Sequence, residues 1–242
     1  MYFSDIHSHI LYGTDDGPKN REEMFKTVDL AYENGIRLIC ATPHFHPGFF
    51  GDNREKASRA FDDLAEYCKN KYPDLELYIG NELYYMHEAI AWLKNGICKP
   101  MGETRSVLVE FDVESSENFI AEGVDRILNA GFVPIIAHAE RYEKLGFGRI
   151  WAMKQNGAMV QVNASSFVTN LFDFGTKKRI KQMLSEDMID FVSSDAHGFS
   201  RRPPEIEGAY KYLQKKYGSV LADRLCYENA KKLLLNKGSE EI

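Results

Sequence analysis

Tyr2-Phe-Ser-Asp-Ile-His-Ser-His9 places two histidines, one residue apart, at the end of a short apolar run. Side chains alternate between the two faces of an extended strand, so His7 and His9 point the same way. Imidazole is the commonest metal ligand among side chains. The pair therefore raises the hypothesis of a metal centre. Two histidines at a strand end without a metal explain the pair equally well, so the hypothesis needs ligands elsewhere in the chain.

The pattern of a short apolar run repeats along the whole sequence. Six further runs follow the first, at Ile36–Ala41, Leu75–Ile79, Ser106–Val109, Val133–Ala137, Ala158–Val162 and Ile189–Val192. Strands that alternate with helices predict a parallel sheet. A closed or nearly closed α/β barrel is the expected fold, and an open doubly wound sheet is the alternative. Such barrels usually have eight strands, so a count of seven means either a missed strand or a distorted barrel.

The segments between the runs carry helical signals. Asn20 is the predicted N-cap of a first helix with Glu22 and Glu23 in its opening turn, and Gly35 is its predicted end. A second helix is predicted from about Arg54 to Asn70. No change of composition marks a linker, so we expect residues 1–242 to form a single barrel domain.

Composition and charge exclude several classes of function. The net charge of −6 argues against a protein that binds duplex nucleic acid, which needs a basic surface. No apolar run approaches the roughly 20 residues of a membrane helix, and no apolar signal region stands at the start. The four cysteines are scattered without a C-x-x-C pair, as is typical of reduced thiols. We therefore expect a cytoplasmic protein that does not insert into membranes.

Metal-capable side chains lie directly after six of the seven predicted strands, and the remaining strand is followed by Asn163. In α/β barrels the carboxyl ends of the strands meet at the catalytic face. A single histidine or glutamate at such a place is usually a hydrogen-bonded or solvated residue, but nine together predict a metal site. Asp195-Ala-His197 also repeats the spacing of the opening pair. The nine candidate ligands are His7, His9, Asp16, His44, Glu82, Glu110, His138, Asp195 and His197.

The ligand types narrow the chemistry. Imidazole and carboxylate without thiolate suit manganese, iron, zinc or cobalt. Five histidines and four carboxylates exceed the needs of one ion and suffice for two or three. Sites of this kind support in-line displacement at phosphorus. Arg141 and Arg202 are the expected partners of phosphate oxygens, because a guanidinium group matches them geometrically. Pro203 restricts Arg202 to an extended backbone. The alternative for both arginines is a surface position at the barrel rim.

Seven short motifs together resemble the polymerase and histidinol phosphatase (PHP) family. The resemblance is greatest to its branch of bacterial metal-dependent protein-tyrosine phosphatases of capsular and exopolysaccharide synthesis, and it extends from about residue 2 to 235. The motifs are Asp5-Ile-His-Ser-His9, Asp15-Asp-Gly-Pro18, Thr42-Pro-His44, Gly80-Asn-Glu82, Val109-Glu-Phe111, Ile136-Ala-His-Ala-Glu-Arg-Tyr142 and Ser194-Asp-Ala-His197.

The resemblance implies a distorted seven-stranded TIM-like (βα)7 barrel with three metal ions, usually manganese, with iron, zinc, cobalt or magnesium as alternatives. It implies attack of a metal-bound hydroxide on phosphorus, with Arg141 and Arg202 stabilising the equatorial oxygens. The implied ligands are His7, His9, Glu82 and Asp195 for the first ion, bridging Glu82 with Glu110 and His138 for the second, and Asp16, His44 and His197 for the third.

The implied substrate is phosphotyrosine on the tail of a membrane-associated tyrosine kinase that controls polysaccharide export. A small-molecule phosphomonoesterase such as histidinol phosphatase is the alternative, because the ligand set does not identify the leaving group. A cysteine-dependent tyrosine phosphatase is excluded, since no cysteine begins a C-x5-R loop. His46 fits no ligand set and is expected to be a loop residue. The sequence does not predict the oligomeric state.

Overall fold

Parallel strands separated by helices dominate the computed structural model, which describes residues 1–168 and 174–235. The strands are β1 (Phe3–Ser8), β2 (Ile36–Ala41), β3 (His44–Phe45), β4 (Glu76–Ile79), β5 (Glu82–Tyr84), β6 (Ser106–Glu110), β7 (Val133–Ile136), β8 (Met159–Asn163) and β9 (Phe191–Ser193).

The helices between and after the strands are α1 (Arg21–Glu33), α2 (Pro47–Phe50), α3 (Arg54–Lys71), α4 (Ala89–Lys94), α5 (Glu117–Asn129), α6 (Phe147–Gln155), α7 (Ser165–Val168), α8 (Phe174–Ser185), α9 (Glu207–Tyr217), α10 (Ser219–Asp223) and α11 (Asn229–Leu235). A 3₁₀ turn spans Ala139–Arg141 and a π-helical segment spans Arg224–Glu228.

The strand segments occupy seven positions around a barrel. One sheet has the order β1-β2-β4 and the other has the order β3-β5-β6-β7-β8-β9, with all pairings parallel. The segment after β9 closes the ring, because Ser8 forms a parallel bridge with Ala196. The main-chain N–H of His9 donates to the Ala196 carbonyl at 2.8 Å. The distorted α/β barrel predicted from the sequence is confirmed.

The distortion arises from two interrupted strands. β2 continues as β3 after Thr42 and Pro43, and Pro43 has no N–H to offer to a ladder. β4 continues as β5 after Gly80, where a Cβ atom would lie 2.9 Å from Cα of Met101. Past both breaks, β3 pairs with β5 so that His44 stands opposite Glu82. The breaks therefore place two candidate ligands side by side.

The helices confirm the local signals in the sequence. The Asn20 side chain accepts a hydrogen bond from the N–H of Glu23 at 2.9 Å and caps α1 as predicted. The predicted second helix ends one residue later than expected, at Lys71. The helix α6 was not predicted. Residues 169–173 and 236–242 lie outside the described residues, so the single domain over residues 1–242 stays a prediction. Within the described residues, no helix is both long and apolar enough to cross a membrane.

The barrel interior is apolar near α11 and polar at the carboxyl ends of the strands. Leu233 and Leu234 of α11 pack on a small apolar cluster that receives side chains from five strands, namely Ile6, Leu38, Cys40, Leu108, Ile135 and Phe191. The large cluster between strands and helices is separate, and it takes Ile39 and Ala41 from the other face of β2. The carboxyl ends of the strands hold buried ionisable groups instead of apolar ones.

Candidate metal centre

Glu82, at the start of β5, is the centre of a buried group of imidazoles. Its Oε1 lies 3.1 Å from His7 Nε2 and 3.3 Å from His138 Nε2. Its Oε2 lies 3.1 Å from His9 Nε2 and 3.0 Å from His44 Nδ1. Four histidines from three strand ends, those of β1, β3 and β7, thus face one carboxylate.

These contacts are close, but they lack hydrogen-bond geometry. Neither oxygen of the buried Glu82 has a hydrogen-bond partner among the described residues, and the same holds for His138 Nδ1 and His197 Nε2. A buried carboxylate without hydrogen bonds is costly and rare. Burial opposes its ionisation, but the imidazoles of His7 and His44 hold the pKa of Glu82 well below its ordinary value. Cations among these atoms would satisfy the lone pairs, so the residues present fit a metal centre.

Two further groups of potential ligands adjoin this one. The Oδ1 atom of Asp16 lies 3.1 Å from His197 Nε2 and 3.7 Å from His44 Nε2. The Oδ1 atom of Asp195 lies 3.4 Å from His7 Nε2. Within each group the potential ligand atoms lie no more than 4.8 Å apart; the groups are His9, Asp16, His44 and His197, then His7, His9 and Asp195, and then His44, Glu82 and Glu110.

The nine predicted ligands therefore come together at one end of the barrel. Glu110 is linked to the centre through His138, whose Nε2 lies 3.3 Å from an oxygen of each of Glu82 and Glu110. His44 has one ring nitrogen toward Glu82 and the other toward Asp16. The His44 ring thus lies between two groups, whereas the family resemblance assigns it to the third ion alone.

Two of the candidate ligands have a strained backbone. His138 and Asp195 have φ angles of 33° and 54°, and they follow the strands β7 and β9. A left-handed backbone is uncommon in residues other than glycine and persists only where the surroundings enforce it. Turning the chain sharply at the strand end keeps both side chains buried at the centre.

Buried polar groups behind the candidate ligands orient their imidazole rings. Gln161 Oε1 lies 3.1 Å from His7 Nδ1, and Asp15 Oδ2 lies 2.8 Å from His9 Nδ1. Each contact leaves the Nε2 atom facing Glu82. Gln161 also accepts the main-chain N–H of His138 at 2.8 Å. Such outer contacts fix the ring orientation and the tautomer of a metal ligand.

Sequence reasoning assigned no role to Gln161 or Asp15, although faint signals exist for both. Gln161 alternates with Asn163 on one face of an otherwise apolar strand. Asp15 directly precedes the candidate ligand Asp16. His46 lies in a loop, as expected, and its ring stacks on Tyr84 with 4.1 Å between centroids.

The two predicted arginines lie at the solvent side of the centre. Arg141 Nη2 and Arg202 Nη1 lie 3.2 and 3.3 Å from Asp195 Oδ2. Arg202 Nη2 also lies 3.3 Å from Asp16 Oδ2. Their side chains are 42% and 37% exposed, whereas Asp195 is buried. Both guanidinium groups are thus anchored on candidate ligands and remain accessible to a solute.

A distorted α/β barrel with imidazoles and carboxylates at its carboxyl end defines the class of metal-dependent barrel hydrolases. The phosphotriesterase homology protein from Escherichia coli shares this fold, with a TM-score of 0.63 at 10% identity over 96% of this chain and 98% of that one. The family model for capsular polysaccharide synthesis proteins CpsB/CapC matches residues 3–235, so the chain belongs to the CpsB/CapC family. The family resemblance predicted from the motifs is confirmed.

Individual relatives agree with this assignment. The tyrosine-protein phosphatase CpsB of Streptococcus pneumoniae is 35% identical over 96% of this chain and 98% of its own length. The putative tyrosine-protein phosphatase CapC of Staphylococcus aureus is 30% identical over 96% of this chain and 91% of its own. A structure from a study of YwqE from Bacillus subtilis and CpsB from Streptococcus pneumoniae, described as unique metal-dependent tyrosine phosphatases, has a TM-score of 0.86 at 28% identity, covering 96% of this chain and 94% of that one.

Proposed function

We propose that this protein is a metal-dependent tyrosine phosphatase that acts in capsular or exopolysaccharide synthesis. The observation that carries the proposal is Glu82, a buried carboxylate faced by four imidazole nitrogens at 3.0–3.3 Å without a hydrogen bond to either oxygen among the described residues. The relatives named as tyrosine phosphatases support the choice of reaction. The described part of the chain supports no cysteine mechanism, since the four cysteines are buried.

The nine residues are proposed to hold three manganese ions, in the sets that the family resemblance implies. Bound ions of this kind lower the pKa of a coordinated water and neutralise charge on phosphoryl oxygens. Glu82 would belong to both the first and the second set, since its Oε1 faces His7 of the first set and His138 of the second. Gln161 and Asp15 keep the imidazoles of His7 and His9 turned toward the ions.

The proposed task of Arg141 and Arg202 is to bind the phosphoryl group of the substrate. Asp195 Oδ2 holds both guanidinium groups and also accepts from Asn163 Nδ2 at 2.8 Å. Since one carboxylate oxygen fixes both arginines, their remaining N–H groups stay in a preset arrangement. Preorganised donors of this kind stabilise charge that develops in a transition state.

The proposed substrate is phosphotyrosine on the tail of a membrane-associated bacterial tyrosine kinase, and the proposed location is the cytoplasm. Free, buried thiols at Cys40, Cys68, Cys98 and Cys226 support a reducing compartment. The solvent-accessible position of both arginines supports a substrate presented on a protein segment.

The decisive experiment compares kcat/KM for a phosphotyrosyl peptide and for histidinol phosphate on metal-loaded protein. A preference for the peptide is expected, and a preference for histidinol phosphate would favour the small-molecule alternative. Elemental analysis before and after chelation should find up to three ions per chain, and adding manganese back should restore activity. Full activity in the presence of chelator, with no metal bound, would contradict the proposal.

A further inference from the structure

Four aromatic rings form a continuous surface beside His44, which we call the aromatic patch: His46, Phe49, Phe50 and Tyr84. Phe50 stacks on His44 with 5.2 Å between centroids and 9° between planes. Phe49 meets Phe50 edge-on at 4.8 Å. His46 lies 5.9 Å from Phe49 and stacks on Tyr84 at 4.1 Å. The rings therefore lead outward from a candidate metal ligand.

Phe49 contributes little to the stability of the fold, because it buries little apolar surface. Its side chain is 76% exposed, and no residue of the short helix α2 is buried. A single exposed aromatic residue is ordinary, and Trp151 on α6 is another, at 55% exposure. Phe49 differs from Trp151 in its location, because its ring contacts Phe50, which in turn stacks on the candidate ligand His44. An apolar surface that adjoins a site favours an apolar part of the ligand.

The groups on the two sides of the centre complement different parts of one molecule. Arg202 contacts Asp16, and Asp16 in turn contacts His44, on which Phe50 stacks. The guanidinium groups therefore lie on one side of the candidate metal centre, and the apolar rings lie on the other. A ligand that uses both sides carries an anionic group and an aromatic ring close together. An aryl phosphate monoester has this composition, whereas an alkyl phosphate leaves the rings without a partner.

We propose that the aromatic patch receives the phenyl ring of a phosphotyrosyl side chain and makes the site selective for aryl over alkyl phosphate monoesters. The inference rests on the proposed function, and it assigns the choice of leaving group to residues outside the ligand set. Phe49 is the residue to test, because Phe50 and His46 are more closely tied to His44 and to the loop. Ring pairs prefer offset or edge-to-face contacts, which an exposed phenylalanine offers freely.

Binding of two phosphonates isolates the contribution of the ring without turnover. Benzylphosphonate and ethylphosphonate mimic phenyl phosphate and methyl phosphate, and they share the phosphonate group. We expect metal-loaded wild-type protein to bind benzylphosphonate more tightly in calorimetry. The Kd of ethylphosphonate divided by the Kd of benzylphosphonate measures the preference for the ring. This ratio should fall about tenfold in Phe49→Ala and stay near wild type in Phe49→Tyr. Trp151→Ala is the matched control and should leave the ratio unchanged. An unchanged ratio in Phe49→Ala would overturn the inference.

Kinetics separate this inference from the proposed function. A phosphotyrosyl peptide and a phosphoseryl peptide of the same sequence serve as substrates, and metal content is measured for each variant. Wild-type protein that cleaves neither peptide overturns the proposed function and this inference with it. Wild-type protein that cleaves the phosphotyrosyl peptide, with the same preference in Phe49→Ala, overturns this inference alone. Binding to phosphatidylglycerol vesicles that Phe49→Ala abolishes, at an unchanged Kd ratio, would assign the patch to a lipid surface instead.

Discussion

Asp190 and Asp195 flank the same strand, β9, and their surroundings are opposite. At the amino end, Oδ2 of Asp190 accepts hydrogen bonds from Lys154 Nζ and from the N–H of Val160, the latter at 2.8 Å. At the carboxyl end, Oδ1 of Asp195 faces His7 at 3.4 Å, longer than an ordinary hydrogen bond. The first aspartate has hydrogen-bond donors on Lys154 and Val160, whereas Oδ1 of the second faces three imidazole nitrogens at 3.4–3.6 Å.

The same difference separates the two ends of the barrel. The amino end is closed by apolar side chains from five strands and α11. Asp190 at this end forms an ion pair with Lys154. The carboxyl end gathers imidazoles and carboxylates, and both oxygens of Glu82 at its centre lack a hydrogen-bond partner among the described residues. Stability and function are thus assigned to opposite ends, and substitutions at the two aspartates test this division.

Asp195→Ala should have the largest effect on activity. It removes a candidate ligand and the anchor of two guanidinium groups, so we expect kcat/KM for a phosphotyrosyl peptide to fall by about a thousandfold or more. Metal content should fall as well. Asp190→Ala is the matched variant: it leaves Lys154 without its partner and should cost about 1–3 kcal/mol of unfolding free energy at unchanged kcat/KM. Similar losses of activity in both variants would refute the division between the two ends.

The arginines should show the next largest effect. Arg141→Ala and Arg202→Ala each remove donors preset by Asp195 Oδ2, so kcat should fall about a hundredfold. Metal content by elemental analysis should stay at the wild-type level, because neither arginine is a ligand. Arg201→Ala, one position from Arg202, is the control and should retain activity close to wild type. Full activity in either variant would remove that arginine from the mechanism.

Gln161 offers a smaller and more specific effect. Gln161→Ala removes the partner of His7 Nδ1 and the acceptor of the His138 N–H. We expect metal affinity to fall roughly 10- to 100-fold, with most of the activity recovered at saturating metal. A metal titration followed by activity measures both quantities. Gln155→Ala, at the exposed end of α6, should change neither, and unaltered affinity in Gln161→Ala would leave Gln161 with a packing role only.

Local signals predicted the barrel and the positions of the candidate ligands, because both depend on short segments of the sequence. Each of the seven barrel positions begins with an apolar run, and the candidate ligands other than Asp16 stand at or shortly after the end of such a run. The closure of a parallel barrel then brings the strand ends together without further information. This explains why His7 and His197 could be assigned to one site although they lie far apart in sequence.

Features that depend on distant contacts could not be predicted in this way. The break at Gly80 is set by the approach of Met101. Gln161 contacts His7 across 154 positions of sequence. The left-handed backbone at His138 and Asp195 is imposed by the surroundings and has no local signal. Outer contacts and backbone strain therefore emerge only from the three-dimensional structure.

The smallest effect concerns the dependence of stability on pH at the amino end. Burial raises the pKa of Asp190, against the opposing attraction of Lys154 and the hydrogen bond from Val160. The folded state therefore binds the proton of this carboxyl more tightly than the unfolded state does. Its contribution to the unfolding free energy is present below the unfolded pKa and is lost as pH rises through the folded pKa.

Asp190→Asn isolates that contribution, because the amide does not titrate. The unfolding free energy of the wild type minus that of Asp190→Asn should decrease as pH rises above 3.8, the ordinary value for this carboxyl. Urea denaturation of chelated protein across this range measures the difference, and chelation removes the pH dependence of metal binding from both proteins. A difference that grows with pH would mean that Lys154 outweighs burial, and the amino end would then depend on its ion pair for stability at neutral pH.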